Sequence, residues 1–161
     1  RRRAEVAPGI ERLRSAPRRR GAAELEAGPD VKLDRGGIRD VEFLVQGMQL
    51  QKLGEGYPQL LEGSTLGALE LLRVAGLLPP DVAQQLRRDY LFLRRIEHFL
   101  QVFEDRQTHS LPTQPEALQA LARRMLGSGA AAEQLRRQLE EVMGGVREAY
   151  RRFLLGPEGE G

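Results

Sequence analysis

The chain contains no cysteine, no tryptophan and only two histidines. Without cysteine there is no disulfide frame and no thiolate metal site, which fits a reducing compartment. His98 and His109 lie eleven residues apart with no His-x-x-x-His pair, so no metal site is expected. Their expected roles are a helix-surface residue and a loop residue that hydrogen-bonds. No apolar run is long enough to span a bilayer and no signal peptide is recognisable, so a cytoplasmic location is expected. Gly-x-Ser-x-Gly, the P-loop and any Asp-x-Asp pair are missing as well. The last of these weighs most. Metal-dependent nucleotidyl transfer needs closely placed carboxylates to hold Mg²⁺ against a triphosphate. Val, Ile and Thr never gather in alternating runs, so strands are not expected.

Leu, Ala, Arg, Glu and Gln, all strong helix formers, are abundant. The 161 residues suffice for one domain with a single sizeable core. The net charge of +2 conceals an asymmetry, because residues 1–21 carry eight arginines against two glutamates and the remainder is mildly acidic. A basic tail on an acidic body is a weak footprint for nucleic acid, which needs its positive charge on a folded face.

Residues 1–30, with Pro8-Gly9, Pro17, the run Arg18-Arg19-Arg20-Gly21 and Gly28-Pro29, suggest a basic leader or linker with a short helix near Ile10–Ser15. A helical body is expected over 31–155 and a glycine-rich tail over 156–161. Ile38, Val41, Leu44, Val45 and Met48 mark the apolar face of a helix over 38–53. A second helix is expected over 65–75, capped by Ser64 or Thr65 and stopped by Gly76. Pro79-Pro80-Asp81 opens a third, over 82–104. A fourth follows Pro115 and ends near Gly127. A fifth spans 131–154, with Gly144-Gly145 free to bend it or to admit a close helix contact. The expected fold is all-α: a bundle of about five helices with an irregular N-terminal leader.

Lys32-Leu33-Asp34-Arg35-Gly36-Gly37-Ile38-Arg39 is a basic diglycine turn running into the first firm helix. Adjacent glycines allow close approach of a ligand or another chain. Free N–H groups at a helix start favour an anion, and Lys32, Arg35 and Arg39 add positive charge there. Arg39, Glu42, Gln46 and Gln49 share another face of that helix. A plain loop before a helix is the competing account. The third helix carries Arg94-Arg95-Ile96-Glu97-His98 and leaves through Asp105-Arg106-Gln107-Thr108-His109. By spacing alone, a solvated face with intrahelical ion pairs is the simpler reading of Arg94, Arg95, Glu97 and His98.

Lys32–Gln46 resembles the Lys-Leu-Gly-x-Gly-Gly-Ile-Arg-Glu-Ile-Glu-Phe-Ile-Val-Gln signature of the glutamine synthetase adenylyltransferases. Tyr90–His98 and Asp105–Pro112 are similar to two further segments of that family, in the same order, so the resemblance covers roughly Val31 to Leu155. In that family a nucleotidyltransferase domain precedes an all-helical domain and the pair is duplicated. Gln107-Thr108-His109 with Leu111-Pro112 look most like the helical domain of the first, deadenylylating pair. The resemblance implies AMP transfer from ATP to a glutamine synthetase tyrosine, or its phosphate-dependent removal. It implies Mg²⁺ and ATP for the parent enzyme, none of it held by this chain alone. Glutamine synthetase, a PII signalling protein and an upstream nucleotidyltransferase domain are the implied partners.

Two departures stand out: Asp34 replaces a glycine of the signature, and the residues before Val31 are too few for a transferase core. The expectation is therefore a non-catalytic helical domain. Its Lys32, Arg35, Gly36, Gly37, Arg39, Glu42 and Gln46 would face nucleotide or a domain interface. Arg94, Arg95, Glu97, His98, Gln107 and His109 would be structural. The alternative is a bundle that docks glutamine synthetase or PII protein with no nucleotide contact.

Overall fold

A computed structural model of the chain describes residues 3–15, 28–56, 62–103 and 109–156. Six α-helices lie among them: α1 (Arg3–Arg14), α2 (Ile38–Leu53), α3 (Thr65–Val74), α4 (Pro80–Phe103), α5 (Pro115–Leu126) and α6 (Ala132–Tyr150). A π-helical turn, Arg151–Leu155, continues α6.

Local chemistry accounts for most of these boundaries. Ser64 caps α3 by accepting the Gly67 N–H at 3.1 Å. Pro80 and Pro115 each open a helix at the position where a missing N–H costs least. Gly127 closes α5 with φ +109°, a conformation suited to glycine. At the start of α6, the Gln134 side chain accepts the Ala131 N–H at 2.7 Å. Gly144-Gly145 does not interrupt α6, which is helical from Ala132 to Tyr150.

The first helix is longer than expected. Only a short helix near Ile10–Ser15 shows in the sequence, yet α1 begins at Arg3 and has Pro8 in its interior. Two contacts with α2 hold it. Ile10 is buried beside Leu154 over Gly47, where an added Cβ would collide with both side chains. Arg14 forms an ion pair with Asp40. Both contacts are long-range, so local propensity does not reveal them.

The buried apolar residues form two clusters. One gathers Val41, Leu44, Met48, Leu69, Leu72, Leu86, Val146 and Tyr150 with Ile10 and Leu154. The other gathers Ile38, Leu93, Ile96, Leu100, Leu118, Leu121, Leu135 and Leu139. Helices α2, α4 and α6 contribute to both. A short antiparallel pairing joins the chain before α2 to the chain before α5. Val31 donates to the His109 carbonyl at 2.8 Å, and Leu111 donates to that of Pro29 at 2.9 Å. It is an isolated bridge, and no strand occurs among the described residues.

Candidate functional site

The diglycine turn is built from the inside. Asp30 Oδ1 accepts the N–H groups of Lys32 and Leu33 at 2.9 and 2.8 Å, and Asp34 Oδ2 accepts that of Asp30 at 2.9 Å. This Asx-type bonding coils the segment ahead of α2. Gly36 has φ +87°, and a Cβ there would strike the Met143 carbonyl of α6. A Cβ at Gly37 would stand 2.6 Å from the Val31 carbonyl oxygen. Both glycines therefore serve close approach, but what approaches is this chain's own backbone.

The N–H groups expected to be open to an anion are engaged. Gly36 donates to Asp40 Oδ2 at 2.7 Å. Gly37, Ile38, Arg39 and Asp40 donate to the carbonyls of Asp34, Val31, Lys32 and Gly37 at 2.9 to 3.1 Å. The start of α2 thus has no free backbone donors at these positions, which corrects the expectation of an anion-binding helix start. Positive charge at the turn resides in side chains.

Three separated sequence segments meet at one carboxylate. Glu97 on α4 is 4% exposed. Its Oε1 lies 3.3 Å from Lys32 Nζ, and its Oε2 lies 2.9 Å from Arg94 Nη1. His109 Nε2 stands 3.9 Å from Oε1, brought there by the backbone pairing of residues 28–31 with 109–111. Such a carboxylate is tolerated in the interior because cations surround it. Only the Arg94 contact is the intrahelical pair that spacing suggested. The Lys32 and His109 contacts tie the diglycine turn and the chain after α4 to the same point.

The other candidate residues make separate contacts. Glu42 is half-buried and accepts the Tyr90 hydroxyl at 3.5 Å. Arg35 is exposed at the turn, and its carbonyl accepts Arg147 Nη1 at 3.1 Å. Arg39 is exposed, 6.0 Å from the Phe43 ring centre, and Gln46 is exposed one turn further on. Arg95 lies 5.9 Å over the Phe99 ring, and His98 is exposed beside the same ring. Gln107 falls outside the described residues.

A second buried network escaped the sequence reading. Arg14 Nε and Nη2 clasp the two oxygens of Asp40 at 2.8 and 2.6 Å, and Nη1 reaches Glu11 at 3.1 Å. Burial alone would lower the Arg14 pKa, but Asp40 and then Glu11 raise it above the ordinary value. Its guanidinium lies 4.1 Å from the Tyr150 ring centre. The Tyr150 hydroxyl is buried without a hydrogen-bond partner among the described residues. Burial, followed by the Glu11 carboxylate, pushes its pKa well above that of an ordinary phenol. Asp40 could have been found by its place three residues into a helix behind a glycine cap, where a carboxylate can reach back to a preceding N–H.

No group of three or more His, Cys, Asp or Glu side chains able to hold a metal ion occurs among the described residues. The carboxylates nearest the turn already have partners: Asp30 and Asp34 accept N–H groups, Asp40 holds Arg14, and Glu97 holds Lys32 and Arg94. That donor set suits anchoring and does not fit Mg²⁺. No described helix is long and apolar enough to cross a membrane.

Residues 8–154 match the family model described as GlnD PII-uridylyltransferase. The chain is similar to the bifunctional glutamine synthetase adenylyltransferase/adenylyl-removing enzyme of Bordetella pertussis, at 42% identity over 153 residues, which is 93% of this chain and 16% of that protein. The enzyme of the same description from Bradyrhizobium diazoefficiens is 43% identical over 129 residues, 78% of this chain and 13% of the relative. That of Mesorhizobium japonicum is 46% identical over 105 residues, 65% of this chain and 10% of the relative. The chain thus spans well under a fifth of the length of the relatives it matches.

Proposed function

Because the chain belongs to the glutamine synthetase adenylyltransferase family, we propose that it acts as a helical domain beside a nucleotidyltransferase domain of a longer polypeptide. There it assists AMP transfer to, or removal from, a tyrosine of glutamine synthetase. In this reading ATP supplies the AMP for transfer, phosphate accepts it on removal, and Mg²⁺ held outside this chain offsets phosphate charge. The resemblance favours the first, adenylyl-removing half, with a PII signalling protein as regulator and the cytoplasm as location.

The observation that carries the reading is the convergence of three sequence segments on Glu97. The hub ties the turn to α4 and to the chain before α5. Arg35 and Arg39 extend from it, both exposed and with no acidic partner among the described residues. Two guanidiniums suit phosphate oxygens, which they can bind with charge-assisted hydrogen bonds. Lys32 and Arg94 are each partly exposed and add to the same positive field. Glu42 and Gln46 orient neighbouring side chains. Because the backbone N–H groups are occupied, side chains make the phosphate contacts.

The test is nucleotide titration and turnover of this domain joined to its upstream domain, wild type against Arg39→Ala. A lost charge-assisted bond weakens nucleotide affinity about tenfold or more. Unchanged affinity and turnover would overturn the phosphate role.

The occupied N–H groups favour a second reading, a face that docks glutamine synthetase or the PII protein without touching nucleotide. Under it, Arg39→Ala weakens binding of one of those proteins and leaves nucleotide affinity intact.

A further inference from the structure

Three carboxylates are buried among the described residues: Asp40, Asp89 and Glu97. Two of them have cations. Asp40 holds Arg14, and Glu97 holds Lys32 and Arg94. Asp89 on α4, 4% exposed, has none. Its Oδ1 accepts the Gln85 amide at 2.7 Å, and no described group bonds its Oδ2. Arg88, the adjacent guanidinium, turns instead to Gln85 Oε1 at 3.2 Å.

Oδ2 faces an open space. Asp89 lines a groove of about 360 Å³ where α4 meets α6 and the π-helical turn. Gly145 forms part of the wall, and a Cβ built there would stand 3.5 Å from Asp89 Oδ2. The missing side chain leaves the carboxylate reachable from the groove. Val82, Leu86, Ala149 and Phe153 supply apolar surface around it. Of the other charged side chains in the lining, Glu148 is paired with Arg151 at 2.7 Å and Asp81 stands against Arg88 and Arg152, so the carboxylate oxygen left without a cation is Asp89 Oδ2.

A buried carboxylate oxygen without a cation, beneath apolar walls, matches a side chain with a long apolar stem and a cationic head. We propose that this groove is a docking site for a basic side chain, arginine or lysine, of a partner polypeptide, which supplies the cation that Asp89 lacks. The walls take the methylene stem, and the head pairs with Oδ2. Burial raises the Asp89 pKa against the opposing effects of the Gln85 hydrogen bond and the Arg88 charge. This is the direction for a carboxylate lacking an adequate countercharge. A bound cation reverses it.

The experiment is NMR titration of the 161-residue chain at constant ionic strength. The probes are N-acetyl-arginine methylamide, its lysine analogue and its neutral citrulline analogue. The expected result is a saturable shift at the Asp89 carboxyl carbon and the Gly145 amide, with a lower Asp89 pKa when a cationic probe is present. The citrulline analogue should bind at least tenfold more weakly, and Asp89→Asn should weaken the cationic probes by a similar factor. The arginine and lysine arms identify the preferred head group. Equal responses to the arginine and citrulline analogues, or a wild-type Asp89 pKa unmoved by the cationic probes, overturn the proposal. The pKa measurement needs no variant, so it decides the matter even if Asp89→Asn folds poorly.

Discussion

Glu97→Gln keeps the size of the side chain and removes its charge. Lys32 and Arg94 would then share a neutral amide, and His109 would lose its nearest carboxylate. Because both cations are partly exposed, water compensates some of the loss, and a cost of about 1–2 kcal/mol is expected in urea unfolding. Lys32→Ala should cost less, since Arg94 still neutralises Glu97. Gly36 presents a different constraint. Its positive φ and the Met143 carbonyl beyond it mean that Gly36→Ala meets strain and a clash together, and a loss of about 2–3 kcal/mol is expected. Asp89 sets a pH dependence. Its pKa is raised on folding, so the folded state holds that proton more tightly than the unfolded chain. Its contribution is therefore full at low pH and is lost as pH rises from the ordinary 3.8 through the raised value. Asp81, Glu148, Arg88 and Arg152 face the same groove, so the comparison that isolates Asp89 is wild type against Asp89→Asn. Thermal melts should show the variant's relative stability increasing across that window; parallel pH profiles would contradict it.

Among elements, α1 is held by contacts distant in sequence. It contains a proline, lies in a basic, proline-rich stretch and joins the bundle through Ile10 and Arg14. Arg14→Ala would leave Asp40 buried without its cation, at a cost of about 3 kcal/mol. Amide exchange should then quicken in α1 and at Gly36, whose N–H rests on the same carboxylate. Unaltered protection at Gly36 would show that α1 and the turn are independent. The contrast with α3, α4 and α5 explains what sequence could show. Ser64, Pro80, Pro115 and Gly127 act within a turn of their own helix, so those boundaries are legible from neighbouring residues. The site is legible only in pieces. Lys32, Arg94 and His109 stand out individually by residue type, but their meeting at Glu97 depends on the pairing of residues 28–31 with 109–111. A lone Asp89 on a polar helix looks solvated until α6 is packed beside it.

At the scale of the whole molecule, the two apolar clusters share α2, α4 and α6, so neither has a frame of its own. Leu72→Ala in one cluster and Leu121→Ala in the other should each cost about 2–5 kcal/mol. Both should shift one cooperative transition rather than split it, as helical circular dichroism with denaturant would show. Two resolved transitions would mean that the clusters melt separately. Gly47 carries a further consequence. Ile10 of the first helix and Leu154 of the last turn rest on the same glycine, so a Cβ at this one position would push the first and last described elements off α2 together.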